Sequence, residues 1–458
     1  MDNKIAEVKI WDRTVGYVQD VANKIVFKYD PNFVKQGLEL SPIMVPLSSQ
    51  IYTFPRLNPE TFKGLPGFIA DALPDHFGTS VLNQWLARQG REKDSYTVIE
   101  RLLFQGNRAM GALEFEPNMR EFSNVKDKII IEDLVKAAAD VLMAKTALTT
   151  NMNDGEDALD MILKIGTSAG GSRPKAIVAY NKNTGEILSG LNSSPEGFNQ
   201  YLLKLDVKLN KEGLKEGSSH YCQLEHSYYK MALACGIEME ECLLVDSGER
   251  SHFFTKRFDR VKNDGVEEKV HMVSLTGMAH YDYDNPRECS YEQMFGVMRA
   301  LNLPYHDMVQ AYRRMVFNVA ACNNDDHPKN ISFLLDKDSK EWRLSPAYDL
   351  TYAYKKGNLY LDAHQMTICG KSNFGQILRS DLKEIGENQG IKKPLSIVDE
   401  IIDVVSQVDK FMDVRIPSEV IEKVKGNIDL SCKSISPKRR PLDFSEDESE
   451  QKKLGRKI

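Results

Sequence analysis

Apolar residues recur along the chain with two periods, and the alternation between them marks its organisation. From about Val8 to Pro117, short strand-like runs give way to helical spacing. KIVFKYDPNF reads as a strand closed by a turn, whereas Phe68, Ile69, Ala72 and Leu73, then Val81, Leu82, Trp85 and Leu86 beyond Pro74, fall on helical faces. IEDLVKAAADVLMA predicts a further helix with Leu134, Ala137, Ala138, Val141 and Leu142 on one side. Strands return in MILKI and KAIVAY, on either side of a glycine-rich turn, and again in GFNQYLLKLD, ECLLVD and SHFFTKRFDR, with the helix YCQLEHSYYKMALACGI among them. After His271 the period becomes helical, in YEQMFGVMRALNL and then HDMVQAYRRMVFNVAAC, where Met308, Tyr312, Met315, Val316, Val319 and Ala320 lie three and four residues apart.

This pattern predicts an α+β chain with an N-terminal α+β subdomain (1–118), a strand-rich part (119–262), a helix-rich part (263–433) and a tail (434–458). The tail is polar, charged and interrupted by proline, a composition that predicts disorder. At 458 residues and 41% hydrophobic content, each part has enough apolar material for a core. Sixty basic and 66 acidic residues, spread evenly, give a net charge of −6 and no basic footprint for independent nucleic-acid binding. The start MDNKIAEVKI lacks the basic-then-apolar layout of a signal peptide, and no apolar run is long enough to cross a membrane. Seven scattered cysteines without a CxxC pair read as reduced buried thiols, which predicts a cytoplasmic protein.

Candidate chemistry concentrates in NNDDHPKNISFLLDKDSKEWRLSPAYDLTYAY. Asn330 follows Asp325 at the fifth position, the spacing between the base and the metal-binding amide of a kinase catalytic loop, and Asp349 lies beyond two strand-like runs joined by a polar turn. A hairpin there would bring Asp349 back to the loop. Asn330 and Asp349 would then offer hard oxygen donors to Mg2+ while Asp325 accepts a hydroxyl proton. His327 and Lys329 share the loop, the histidine either shaping it or moving protons. A second cluster is IGTSAGGSRPKAIVAY: Ser168, Ala169, Gly170 and Gly171 sit in a turn whose backbone amides suit phosphate, flanked by Ser172, Arg173 and Lys175, although no Walker Gly-Lys-Ser/Thr follows. Downstream, Lys204 ends an apolar strand and Glu225 lies on the next helix, the order in which a kinase places its phosphate-binding lysine and the glutamate paired with it. Lys256 and Phe258 follow on a strand suited to adenine.

The series GTSAGGSRPK, YLLKLD, FFTKRFDR, FNVAACNNDDHPKNISFLLD and LSPAYDL resembles the HipA family of serine/threonine kinases from toxin–antitoxin modules. The resemblance extends from VKIWDRTVGYV and GLPGFIADALPDHFG to about residue 355. It implies a two-lobed, protein-kinase-like fold that uses ATP and Mg2+ to phosphorylate a protein hydroxyl, with an aminoacyl-tRNA synthetase as an example of a target. It further implies Asp325 as base, Asn330 and Asp349 as metal ligands, Lys204 on the phosphates, Lys256 to Phe258 as hinge, and Ser168 as an autophosphorylated residue whose modification would expel the glycine loop. The usual partner, a helix-turn-helix antitoxin, would bring this acidic chain to DNA indirectly. The stretch HMVSLTGMAHYDYDNPREC and the tail depart from the family pattern, which bears on target and partner. Two other readings compatible with the same residues are a weakly active nucleotide-binding partner of a DNA-bound repressor and a small-molecule kinase.

Overall fold

A computed structural model describes residues 5–437 apart from 75, 89, 93–94, 120–127, 147–172, 190–192, 211–212 and 374. The glycine turn, including Ser168, Ala169, Gly170 and Gly171, the MILKI run and nearly all of the tail lie outside the described residues.

The chain opens with an antiparallel sheet of β1 (Ile5–Ile10), β2 (Arg13–Val21), β3 (Lys24–Tyr29), β4 (Ile51–Tyr52) and β5 (Leu113–Glu116), in the order β4-β3-β2-β1-β5. Alternation drives it: Ala6, Val8 and Ile10 point inward from β1 while the residues between them are exposed or half-buried. Two-residue turns with positive φ at both positions, Trp11–Asp12 and Ala22–Asn23, close its first two hairpins. The helical spacing read from Phe68 onward resolves into the short helices Pro59–Phe62 and Gly67–Ala70 and the longer His76–Arg88, followed by Val98–Gln105 with a Thr97/Glu100 capping box.

A second antiparallel sheet has the order β11-β12-β8-β6-β7. It is built from β6 (Lys175–Tyr180), β7 (Ile187–Ser189), β8 (Asn199–Lys204), β11 (Cys242–Ser247) and β12 (Arg250–Lys256), with a small hairpin, β9 (Leu209–Asn210) and β10 (Gly213–Leu214), after β8. The helix Tyr221–Ala234 packs against β11 and β12. After the hairpin β13 (Arg260–Asn263) and β14 (Val266–Lys269) the chain becomes mostly helical, in Tyr291–Ala300, Tyr305–Ala320, Arg379–Asn388, Pro394–Val405 and Ser418–Ile435. The last of these runs past 434, where the tail was expected to begin.

The helix-rich part carries strands beyond the two strand-like runs marked in the sequence. It holds the three-stranded sheet β15 (His271–Ser274), β16 (Ser332–Leu335) and β17 (Trp342–Leu344), and the pair β18 (Ala363–Ile368) and β19 (Lys371–Asn373). The expected hairpin of ISFLLD and EWRLS is β16–β17, with Phe333 opposite Leu344. The helix Tyr305–Ala320 buries Met308, Tyr312, Met315, Val316, Val319 and Ala320, as its spacing predicts. Full burial of such large side chains contributes about 1.5–3 kcal/mol each.

Apolar contacts cross the parts in an unexpected way. One core joins the first sheet, through Val8 and Phe27, and the helix Gly67–Ala70, through Phe68, to the helical part, through Met278, Phe295 and Phe317. A second joins Val81, Leu82 and Leu86 of His76–Arg88 to Leu134, Val178 and Leu203 around the second sheet. The N-terminal residues therefore sit against both lobes.

Candidate functional site

Lys204 ends β8 with its side chain buried beside Glu225 of the helix Tyr221–Ala234. Its Nζ lies 2.6 Å from Glu225 Oε1 and 2.5 Å from Asp349 Oδ1. Burial alone would lower the lysine, but Asp349 and Glu225 outweigh it and hold Lys204 above its ordinary value. Burial would raise Asp349, yet Lys204 and Lys175 keep it well below the usual carboxylate range. Glu225, deeper still, is raised by burial that Lys204 only partly offsets. Asp349 is thus the principal counter-charge. Its backbone has φ of 57°, a left-handed conformation that aspartate tolerates better than most residues. Tyr348, just before it, hydrogen-bonds to Ser332 Oγ at 2.6 Å and donates to the Lys329 carbonyl at 2.8 Å, so the turn is anchored to the loop it faces.

Lys175 is the register partner of Lys204 across β6 and β8, which puts two lysines side by side on one face of the sheet. Like charges at that spacing repel. They are tolerated here because the carboxylates above them are negative.

In the loop after Tyr305–Ala320, the two consecutive aspartates have opposite surroundings. Asp326 is buried and fully engaged: Tyr291 Oη at 2.8 Å, His364 Nδ1 at 2.9 Å and the Gln365 backbone N–H at 2.8 Å all reach it. Asp325 has a side chain 43% exposed and accepts from Gln365 Nε2 at 2.7 Å. Partial burial, together with the charges of Asp349 and Asp326, raises it above the ordinary carboxylate value against the opposing pull of His327 and Gln365. His327 Nε2 is 3.9 Å from Asp325, beyond hydrogen-bond distance. A short 3-10 turn, Pro328–Asn330, closes the loop, and Asn330 Nδ2 donates to the Asp325 carbonyl at 2.9 Å, which leaves the amide oxygen for another partner. Lys329 pairs with Asp71 Oδ1 at 2.6 Å, and its Nζ lies 5.8 Å from the centre of the Tyr283 ring.

A cavity of about 320 Å³ unites these groups. Lys175, Lys204, Glu225, Lys256, Phe258, Lys329, Asn330 and Asp349 line it, and so do Thr61, Asp71 and Arg101 from the N-terminal part. The N–H groups of Lys256 and Arg257 are engaged by the carbonyls of Glu241 and Gln200, so a planar base on this edge would turn to groups around Phe258, whose ring packs 5.8 Å from that of Tyr348. Among the described residues no group of three or more His, Cys, Asp or Glu is placed to hold a metal. One ionised carboxylate, Asp349, and one free amide oxygen, on Asn330, nevertheless suit Mg2+, which keeps waters and substrate phosphates in its shell.

Of the residues singled out in the sequence, Lys204, Lys256, Phe258, Lys329, Asn330 and Asp349 line one cavity. Asp325 and His327 belong to the same loop. Gln365 and Asp71 were not anticipated. Gln365 lies on β18, and Asp71 belongs to GFIADALPD; neither segment gives a local signal of contact with the loop.

The two sheets, the helical lobe and the cavity between them define a two-lobed, kinase-like α+β protein. Residues 6–116 match the family model of the HipA N-terminal domain and residues 167–410 that of the HipA-like C-terminal domain. The chain belongs to the HipA family. A presumed kinase of Haemophilus influenzae is 25% identical over 239 residues, 44% of this chain and 67% of that protein. The fold is similar to HipA in the Shewanella oneidensis MR-1 complex of HipA, HipB and operator DNA, with a TM-score of 0.66 and 17% identity over 94% of this chain and 96% of that one. A Helicobacter pylori proinflammatory kinase, CtkA, overlaps 56% of this chain and 92% of its own at 13% identity, but its TM-score of 0.36 carries no weight for the fold. No described helix is long and apolar enough to cross a membrane.

Proposed function

We propose that this protein is an ATP- and Mg2+-dependent serine/threonine protein kinase of the HipA toxin type. The observation that carries the reading is the triad of Lys204, Glu225 and Asp349 on the same cavity as Asn330, with Asp325 on the adjoining loop. Lys204 and Lys175 attract the nucleotide phosphates. Asn330 and Asp349 would hold magnesium, which when bound would neutralise charge on the transferred phosphoryl group. Asp325, oriented by Gln365, accepts the proton of the attacking hydroxyl, and its raised affinity for protons suits a base. The family relation supports a protein acceptor, an aminoacyl-tRNA synthetase among the candidates, self-phosphorylation at Ser168, a cytoplasmic setting and a helix-turn-helix antitoxin as partner.

Intact mass before and after incubation with magnesium and ATP tests this, with Asp325→Ala and Asp349→Ala beside the wild type. Added phosphate that maps to Ser168 in the wild type and is absent from both variants is expected. Tight ATP binding without transfer by the wild type would turn the assignment toward a nucleotide-binding partner of a repressor or a kinase of small molecules.

A further inference from the structure

The N-terminal part meets the catalytic loop at a built contact. Asp71, at the end of the helix Gly67–Ala70, accepts from Lys329 Nζ at 2.6 Å, from Ser274 Oγ at 2.8 Å and from the Ser274 N–H at 2.7 Å. Its side chain is 12% exposed and Lys329's 20%. Backbone closeness fixes the approach: a Cβ placed on Gly67 would lie 2.4 Å from the Gly277 carbonyl oxygen, and one on Gly277 would lie 2.3 Å from Asp71 Oδ2. Only glycines allow the short helices Gly67–Ala70 and Leu275–Ala279 to meet so closely. Asn58 and Thr61 make a neighbouring contact, both donating to Asp282.

Lys329 is one residue from Asn330 and lines the same cavity as Asp71 and Asp349. An ammonium carries three donors and the pair with Asp71 uses one. A lysine stem has four rotatable bonds and would otherwise sample many rotamers. We propose that Asp71 is a positioning residue of the phosphoryl-transfer centre: by fixing Lys329 it sets the loop that carries Asp325 and Asn330 and directs the remaining lysine donors into the cavity. The N-terminal part is on this view a wall of the reaction chamber. The inference rests on the kinase reading, and it deepens that reading by assigning a role to the N-terminal part.

The experiment is steady-state kinetics on the full chain with magnesium and ATP, following ADP release and phosphate incorporation, together with the ATP dissociation constant by calorimetry. Asp71→Ala is expected to lower kcat at least tenfold while ATP affinity stays within about twofold, which also shows that the variant is folded. Asp71→Glu should recover part of the loss. The double variant Asp71→Ala/Lys329→Ala should be no slower than Lys329→Ala alone, because the two residues act as one unit. Asn58→Ala, which removes the neighbouring contact with Asp282 and the cap on the Glu60 N–H but leaves the bonds of Asp71 in place, should keep kcat within about twofold. Wild-type kcat in Asp71→Ala, additive losses in the double variant, or an equal loss in Asn58→Ala would each overturn the proposal. Absence of transfer by the wild type would overturn the kinase reading and this inference together, so the two failures are distinct.

Discussion

At the scale of single residues, Lys204 holds two carboxylates with one ammonium, and that imbalance decides what its removal does. Lys204→Met leaves Glu225 and Asp349 facing each other with their nearest shared cation gone. A buried charge that loses its partner costs about 3–5 kcal/mol, so urea denaturation should show a loss of that order, along with loss of ATP-dependent activity. Glu225→Gln should be milder, since an amide is easier to bury than a carboxylate. Gln365 calls for a different measurement. Gln365→Leu removes the donor to Asp325 but keeps the backbone bond to Asp326, so the loop stays in place while the proposed base, Asp325, loses its orientation. A fall in kcat of roughly tenfold with an unchanged melting temperature is expected.

At the scale of elements, the strand β15 and the short helix Leu275–Ala279 form the seam between the N-terminal part and the loop of Asp325 and Asn330, and a buried histidine stands at each end. His271 faces the Leu40 carbonyl at 3.2 Å, and His280 Nε2 accepts from the Gly67 N–H at 2.9 Å. Burial lowers both to about 4, against an ordinary value of 6.5. Between those values the unfolded chain binds more protons than the folded one. The stability each contributes is therefore full above about pH 6.5 and is lost as the pH falls towards 4. Unfolding free energies from urea titrations at pH 7.5 and pH 5 should differ by roughly 2 kcal/mol for each histidine. The seam itself was not legible in the sequence. β15 is four residues long, with only Met272 less than fully buried, so it shows no alternation to read, and its partner β16 lies far along the chain. Tyr305–Ala320, by contrast, repeats its apolar face over 16 residues and was legible. The site divides the same way. Asp325, Asn330 and Asp349 share one stretch and their spacing is informative. Lys204 and Glu225 stood out through their order along the chain, whereas the link from Asp71 to Lys329 spans 258 positions and leaves no local trace.

At the scale of the molecule, the continuous core makes the N-terminal part inseparable from the helical lobe. Gly67→Ala tests this from one atom. The added methyl would meet the Gly277 carbonyl and His280 Cδ2 at 2.5 Å or less, so something must shift, and overpacking of this kind costs about 1–3 kcal/mol. A lower midpoint in a single unfolding transition, common to fluorescence and circular dichroism, is the expected result. Two separated transitions would show that the parts unfold independently.

On the kinase reading proposed above, the arrangement around Lys204 also bears on how a nucleotide would be received. This cation is supplied with its own anions, much as an exchange resin is loaded with counterions before use. A phosphate that takes Lys204 and a magnesium ion that takes Asp349 replace one internal pairing with two new ones, and dissolved salt has little to displace at this buried point. Ionic strength should therefore act on such a site chiefly through long-range attraction during approach, and only weakly on the complex once formed.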